Sequence, residues 1–145
     1  MTRQIYSEEV EIDTEITPLI KDTSKRFSAK WAGVCGDYDE YHYDDTIARE
    51  RGFPGAIVNG KLLVACLTQM MTNWIGARGL LKRIACQYRR FHPVGERLIC
   101  RGRVTNTHVK DHEHLVECEI WIESPTGERR TLGSATVGLP SKSQS

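Results

Sequence analysis

No excess of either charge marks this chain: 20 Lys and Arg stand against 19 Asp and Glu, a net charge of +1. So even a balance sets up no global field to recruit nucleic acid or an anionic membrane. Paired cysteines are missing too. The five (Cys35, Cys66, Cys86, Cys100, Cys118) are odd in number and never closer than 14 residues. That scatter holds no C-x-x-C metal pair and no disulfide framework, and it implies buried thiols in a reducing compartment. Long apolar runs are also absent. The uncharged stretch over 62–77 includes Thr68, Gln69, Thr72 and Asn73 and is shorter than the ~20 mostly apolar residues of a membrane span. Residues 1–10 carry Arg3, Glu8 and Glu9 with no apolar core; they do not read as a signal peptide, and a cytoplasmic location is expected. No repeat and no linker interrupts the chain.

What is present suits one globular domain over 1–145, with 27% charged and 39% hydrophobic residues. A chain of this length buries about two-thirds of its unfolded surface. The ordered core is expected over about 14–140, after a loose polar lead-in and before a tail that frays beyond Pro140. Residues 15–20 read as a strand that Pro18 bends or confines to an edge. Ser24 is a plausible N-cap for a helix running to about Cys35, with Phe27, Trp31, Val34 and Cys35 at helical spacing and the aromatic stripe packing inward. Asp44 or Asp45 caps a short helix that Gly52-Phe53-Pro54-Gly55 ends. A helix over 61–76, about 24 Å long, then shows no polar face, so the rest of the fold must enclose it. Strands over 81–91, 98–109, 114–123 and 130–139 follow. The third alternates most cleanly, Val116, Cys118, Ile120 and Ile122 against Glu117, Glu119 and Glu123. Short turns between them favour an antiparallel meander. The fold class is therefore α+β, a curved antiparallel sheet wrapped around one apolar helix.

The chemistry-bearing stretch is Cys35-Gly36-Asp37-Tyr38-Asp39-Glu40-Tyr41-His42-Tyr43-Asp44. Asp37 and His42 are about 140° apart on a helix, so only a loop can aim both at one point. Gly36 supplies the stop that makes such a loop. A carboxylate beside an imidazole can hold and deprotonate a water. The same stretch also reads as a solvated acidic turn, its tyrosines covering nearby core. Asn59-Gly60 reads either as a helix cap with a tight turn, or as a free N–H at a helix start that can receive an oxyanion. Thr68 can bond back to a preceding carbonyl. Tyr38, Tyr41 and Tyr43 can line a pocket or cover core. Arg89-Arg90 can meet phosphates or be a solvated strand end. His108, His112 and His114 lie about a hairpin with Lys110 and Asp111, and we expect no metal there.

Taken in order, the loop motif, Gly52-Phe53-Pro54, Ile57-Val58-Asn59-Gly60, the apolar helix and the four strands resemble the MaoC-like hotdog dehydratases, a group that includes the (R)-specific enoyl-CoA hydratases. The resemblance runs from about Thr14 to Pro140. It implies that Asp37 and His42 activate water, that Gly60 gives its backbone N–H to a thioester carbonyl, and that Thr68 helps orient the acid. It also implies a homodimer without cofactor or metal. The substrate would be an acyl-CoA or acyl-carrier-protein thioester, hydrated or dehydrated reversibly. Nucleic acid and membrane are not expected partners. The chain departs from the family pattern at Asp39-Glu40-Tyr41, where Asn-Pro is usual, at Asn59, where His is usual, and at Lys61, where Met is common. The acid–imidazole pair is kept while the walls around it change. Two alternatives stay open: an acyl-CoA thioesterase on the same fold, and a non-catalytic acyl-CoA binder or partner subunit of a dehydratase.

Overall fold

A computed structural model describes residues 3–144 of the chain. Five antiparallel strands form one sheet in the order β1-β3-β4-β5-β2: β1 Glu15–Lys21, β2 Leu80–Tyr88, β3 Leu98–Lys110, β4 Glu113–Glu123 and β5 Arg129–Leu139. The two strands nearest the N-terminus are the two edges. Pro18 sits in β1, where the register slips between Ile16 and Leu19, as an imino acid without an N–H requires. The β3–β4 hairpin closes through Asp111 and His112, both at positive φ, the backbone of a tight two-residue connection.

Three helices precede or cross the sheet: α1 Lys25–Cys35, α2 Asp45–Glu50 and α3 Gly60–Ile75. Ser24 caps α1 by accepting from the Phe27 N–H, and Gly36 ends it in the left-handed region at φ 75°. Asp44 caps α2, accepting from the Thr46 and Ile47 N–H groups. The sheet's concave side closes on α3. Leu62, Leu63, Cys66, Leu67, Met70, Met71, Trp74 and Ile75 pack against Leu98, Cys100 and Val104 of β3, the even-numbered apolar face of β4, and Ala135, Val137 and Leu139 of β5. Each large aliphatic side chain so buried contributes about 1.5–3 kcal/mol. This is the α+β sheet around one helix expected from the pattern and the hotdog fold that the resemblance implies, except that the meander holds only for β3, β4 and β5: β2 pairs with β5 at the far edge instead of with β3.

Several expectations need correcting. The central helix has an open stripe: Lys61, Gln69, Thr72 and Asn73 are exposed, and Val64, Ala65 and Thr68 half-covered. Beyond Lys61, the uncharged Gln69, Thr72 and Asn73 suffice to make a solvent face. In α1, Phe27 and Trp31 pack on the core, but Val34, in the last turn, is 76% exposed, and the helix's fully buried positions are Ser28 and Ala32. Strand β2 stops at Tyr88, three residues early. The described part of the lead-in is tied down: the Gln4 side-chain amide donates to the last carbonyl of α3, Ile75, and Gln4 accepts from the Arg78 N–H. Beyond Pro140, Ser141 and Lys142 both bond the Glu8 carboxylate, which pulls Glu8 down to about 2. Ser145 lies outside the described residues. No helix among the described residues is long and apolar enough to cross a membrane.

Candidate active site

Gly36 turns the chain out of α1, and residues 37–44 fold as an irregular loop with one 3₁₀ turn, Glu40–His42. Segment 56–58, entering α3, crosses this loop and locks it. The Ile57 N–H donates to the Tyr41 carbonyl, and the Ile57 carbonyl lies 2.8 Å from His42 Nδ1. A carbonyl can only accept, so Nδ1 carries the hydrogen and neutral His42 keeps its lone pair on Nε2. The opposite side of the segment is held by Pro93 and His92: the Val58 N–H donates to the His92 carbonyl, and the Val94 N–H to that of Ala56.

His42 is buried, and its Nε2 stands 3.9 Å from Asp37 Oδ2. That gap exceeds a direct hydrogen bond. Asp37 is about one-third exposed. Its Oδ1 accepts from the Asp39 N–H at 3.2 Å, and its Oδ2 from Asn59 Nδ2 at 2.8 Å. These two donors, the backbone one foremost, hold its pKa below the ordinary carboxylate value.

At the start of α3, the Asn59 Oδ1 accepts from the Lys61 N–H at 2.8 Å. The Gly60 carbonyl accepts from the Tyr88 hydroxyl at 2.7 Å. His42, Gly60 and Tyr88 face a cavity of about 740 Å³, whose wall also includes Tyr41, Leu63, Phe91, Arg89, Arg90, Arg130 and Glu128. Tyr41 lies 4.2 Å from the His42 ring and stacks on Phe53, which meets Phe91 edge-on. This aromatic wall dries one side of the imidazole.

The candidate residues read from sequence thus divide. Asp37, His42, Asn59, Gly60 and Tyr41 come together. Thr68 does not bond Asp37: its hydroxyl donates to the Val64 carbonyl one turn back. Tyr38 is 63% exposed and offers only its carbonyl, to the Tyr43 hydroxyl. Tyr88, Phe91 and Arg130 also line the cavity, and a place near a strand end is the only signal the sequence carries for them. His108, His112 and His114 stay on the distant β3–β4 hairpin.

The family profile described as the MaoC like domain matches residues 7–123. The chain belongs to that family. Among curated proteins, none matches at a significant level. Solved structures resemble this MaoC-like chain over nearly its whole length. R-hydratase PhaJ1 from Pseudomonas aeruginosa superposes with a TM-score of 0.85 at 20% identity, covering 96% of this chain and 88% of that one. The (R)-hydratase from A. caviae involved in PHA biosynthesis gives 0.81 at 20% identity, over 92% and 99%. The ChsH1-ChsH2 complex from Mycobacterium tuberculosis gives 0.77 at 18% identity, over 89% and 98%. At such identities the likeness speaks for the fold. The family is one of hydratases and dehydratases.

Proposed function

We propose that this MaoC-like chain is a hydro-lyase adding water across the double bond of an α,β-unsaturated acyl thioester, reversibly. The observation that carries the reading is the 3.9 Å gap between Asp37 Oδ2 and His42 Nε2, with His42 facing the same cavity as the start of α3. A water in that gap gives one hydrogen to the carboxylate and one to the Nε2 lone pair, leaving its own lone pair for the β-carbon. His42 takes the proton as the C–O bond forms, and negative charge grows on the thioester oxygen. Asp37, held ionised, steadies the resulting imidazolium. The Gly60 N–H, which takes no acceptor among the described residues, and the positive end of α3 meet that oxygen. His42 then returns the proton to the α-carbon, so that one water is consumed and no charge remains.

The three arginines in the cavity wall, against one glutamate, favour an anionic carrier such as coenzyme A. Among the described residues, no further strand pairs with the outer edge of β1 or β2, and exposed Leu80 and Tyr88 lie on β2, which supports a homodimer paired through an edge strand. Incubation with enoyl-CoAs of varied chain length tests the reading. Loss of conjugated absorbance without free thiol, giving a single 3-hydroxy enantiomer, is expected. Released thiol means a thioesterase, and tight binding without turnover means a binder or partner subunit.

A further inference from the structure

We infer that Asn59 is the positioning residue of this site: one buried side chain fastens the Asp37 carboxylate to the first turn of α3. Its effect on turnover rests on the hydro-lyase reading, while its hold on Asp37 does not.

The two ends of the amide do different work. Lys61 N–H can only donate, so the atom facing it is Oδ1; a carboxylate can only accept, so the atom facing Asp37 is Nδ2. The partners therefore settle the amide's orientation. At 5% exposure the amide itself is shielded from bulk water, and removing the donor leaves Asp37 Oδ2 without its protein partner. Capping alone does not call for asparagine, since Ser or Asp accepts from the first-turn N–H equally well. What Asn adds is a donor on the far side of the same side chain.

That donor reaches the oxygen that faces His42. A carboxylate oxygen has two lone-pair sites, so one bond to Asn59 leaves one for a water in the gap. Thr68, the hydroxyl that the resemblance assigned to orienting the acid, is occupied by Val64. The Asp39 N–H holds only the other oxygen. Asn59 is thus what fixes the rotation of the carboxylate against the helix start, and a shift there moves the water-holding atom relative to the oxyanion donor. Misplacement of about 1 Å in such a constellation costs about 10² in rate.

The test compares the full chain with Asn59→Ser and Asn59→Asp, both of which keep a capping oxygen. Three quantities are read: melting temperature, kcat and KM on an enoyl-CoA, and the Asp37 carboxylate titration by carbon NMR, assigned against Asp37→Asn. Asn59→Ser is expected to melt near wild type, lose about 10² in kcat with KM little changed, and titrate Asp37 at a higher pH. Asn59→Asp is expected to move the Asp37 titration up further, through a second carboxylate alongside. Wild-type kcat together with an unmoved Asp37 titration in Asn59→Ser overturns the inference. Should Asn59→Ser fail to fold, an unmoved Asp37 titration in Asn59→Asp overturns it equally. A wild-type chain inert on every enoyl thioester sinks the hydro-lyase reading instead, and the Asp37 titration still decides the role of Asn59.

Discussion

The ring of Tyr88 occupies the space a side chain at position 60 would need: a Cβ built on Gly60 would meet Tyr88 Cζ at 3.0 Å. The same tyrosine donates its hydroxyl to the Gly60 carbonyl. Edge strand β2 is thereby pinned to the start of α3. Gly60→Ala should push the half-exposed ring aside rather than unfold the chain, at a cost of about 1–3 kcal/mol. Tyr88→Ala in the same background should recover part of that loss, with a coupling above about 0.5 kcal/mol in a denaturation cycle. Additive losses would mean that the two residues do not press on each other.

How much of this was readable in advance depended on how local the cause was. Ser24, Gly36 and Asp44 act on N–H or C=O groups a few residues away, so their caps stood in the sequence. The β4 faces were equally plain, because alternation needs no partner to be seen. Pro18 marked an edge through its own missing donor. The contact between Gln4 and the end of α3 joins residues 71 apart, and nothing near Gln4 announces it. Within the site, the loop after Gly36 made it possible for Asp37 and His42 to meet, as they do at 3.9 Å, while a solvated acidic turn fitted the same residues and only the resemblance singled out the pair. The amide that holds Asp37 lies 22 residues on, and only its capping half showed in the sequence. Tyr88 reaches Gly60 across the fold, and a strand-end tyrosine looks like any other.

The proposal that Asp37 and His42 share one water makes the plainest kinetic prediction. Asp37→Asn keeps the shape of the side chain but supplies an N–H where an acceptor is required. His42→Ala removes the proton carrier. Each should lower kcat on an enoyl-CoA by at least ~10², while Asp37→Asn melts close to wild type because Asp37 is partly exposed. Near-full turnover by either variant would remove that residue from the mechanism.

His92, fully buried behind the cavity, sets a pH limit on stability. Its Nε2 lies 3.0 Å from the Glu96 carbonyl and so carries the hydrogen; its Nδ1 faces Arg130 Nη1 at 3.4 Å and so carries the lone pair. Burial above all, with the Arg130 charge adding, holds its pKa below the ordinary 6.5. The unfolded chain therefore takes up this proton before the native one does as pH falls. Stability from neutral His92 is complete above about 6.5 and is lost as pH drops from there toward the lower native value. The melting temperature should fall between pH 7 and pH 5 more steeply in wild type than in His92→Gln, whose amide can make both contacts without titrating. Parallel curves would assign the acid sensitivity to another group.

Arg89 and Arg90 give the prediction that separates coenzyme A from its pantetheine arm. Both line the cavity that His42 and Gly60 face. Arg130 is already engaged by Glu96 at 2.5 Å and by Glu128 at 3.6 Å, and Glu128 also stands 3.6 Å from Arg90. Arg89 has no ion-pair partner among the described residues, so it is the guanidinium most available to a phosphate. Charge-assisted hydrogen bonds contribute about 1.5–3 kcal/mol, less where solvent reaches them. Reversal of both charges, Arg89→Glu with Arg90→Glu, should therefore raise KM for an enoyl-CoA about tenfold or more. The corresponding enoyl-pantetheine thioester, which has no nucleotide phosphates, should show no such rise, and added salt should weaken only the coenzyme A ester. Equal losses on both esters would instead locate the effect in the cavity wall that the arginines share with Tyr88 and Phe91.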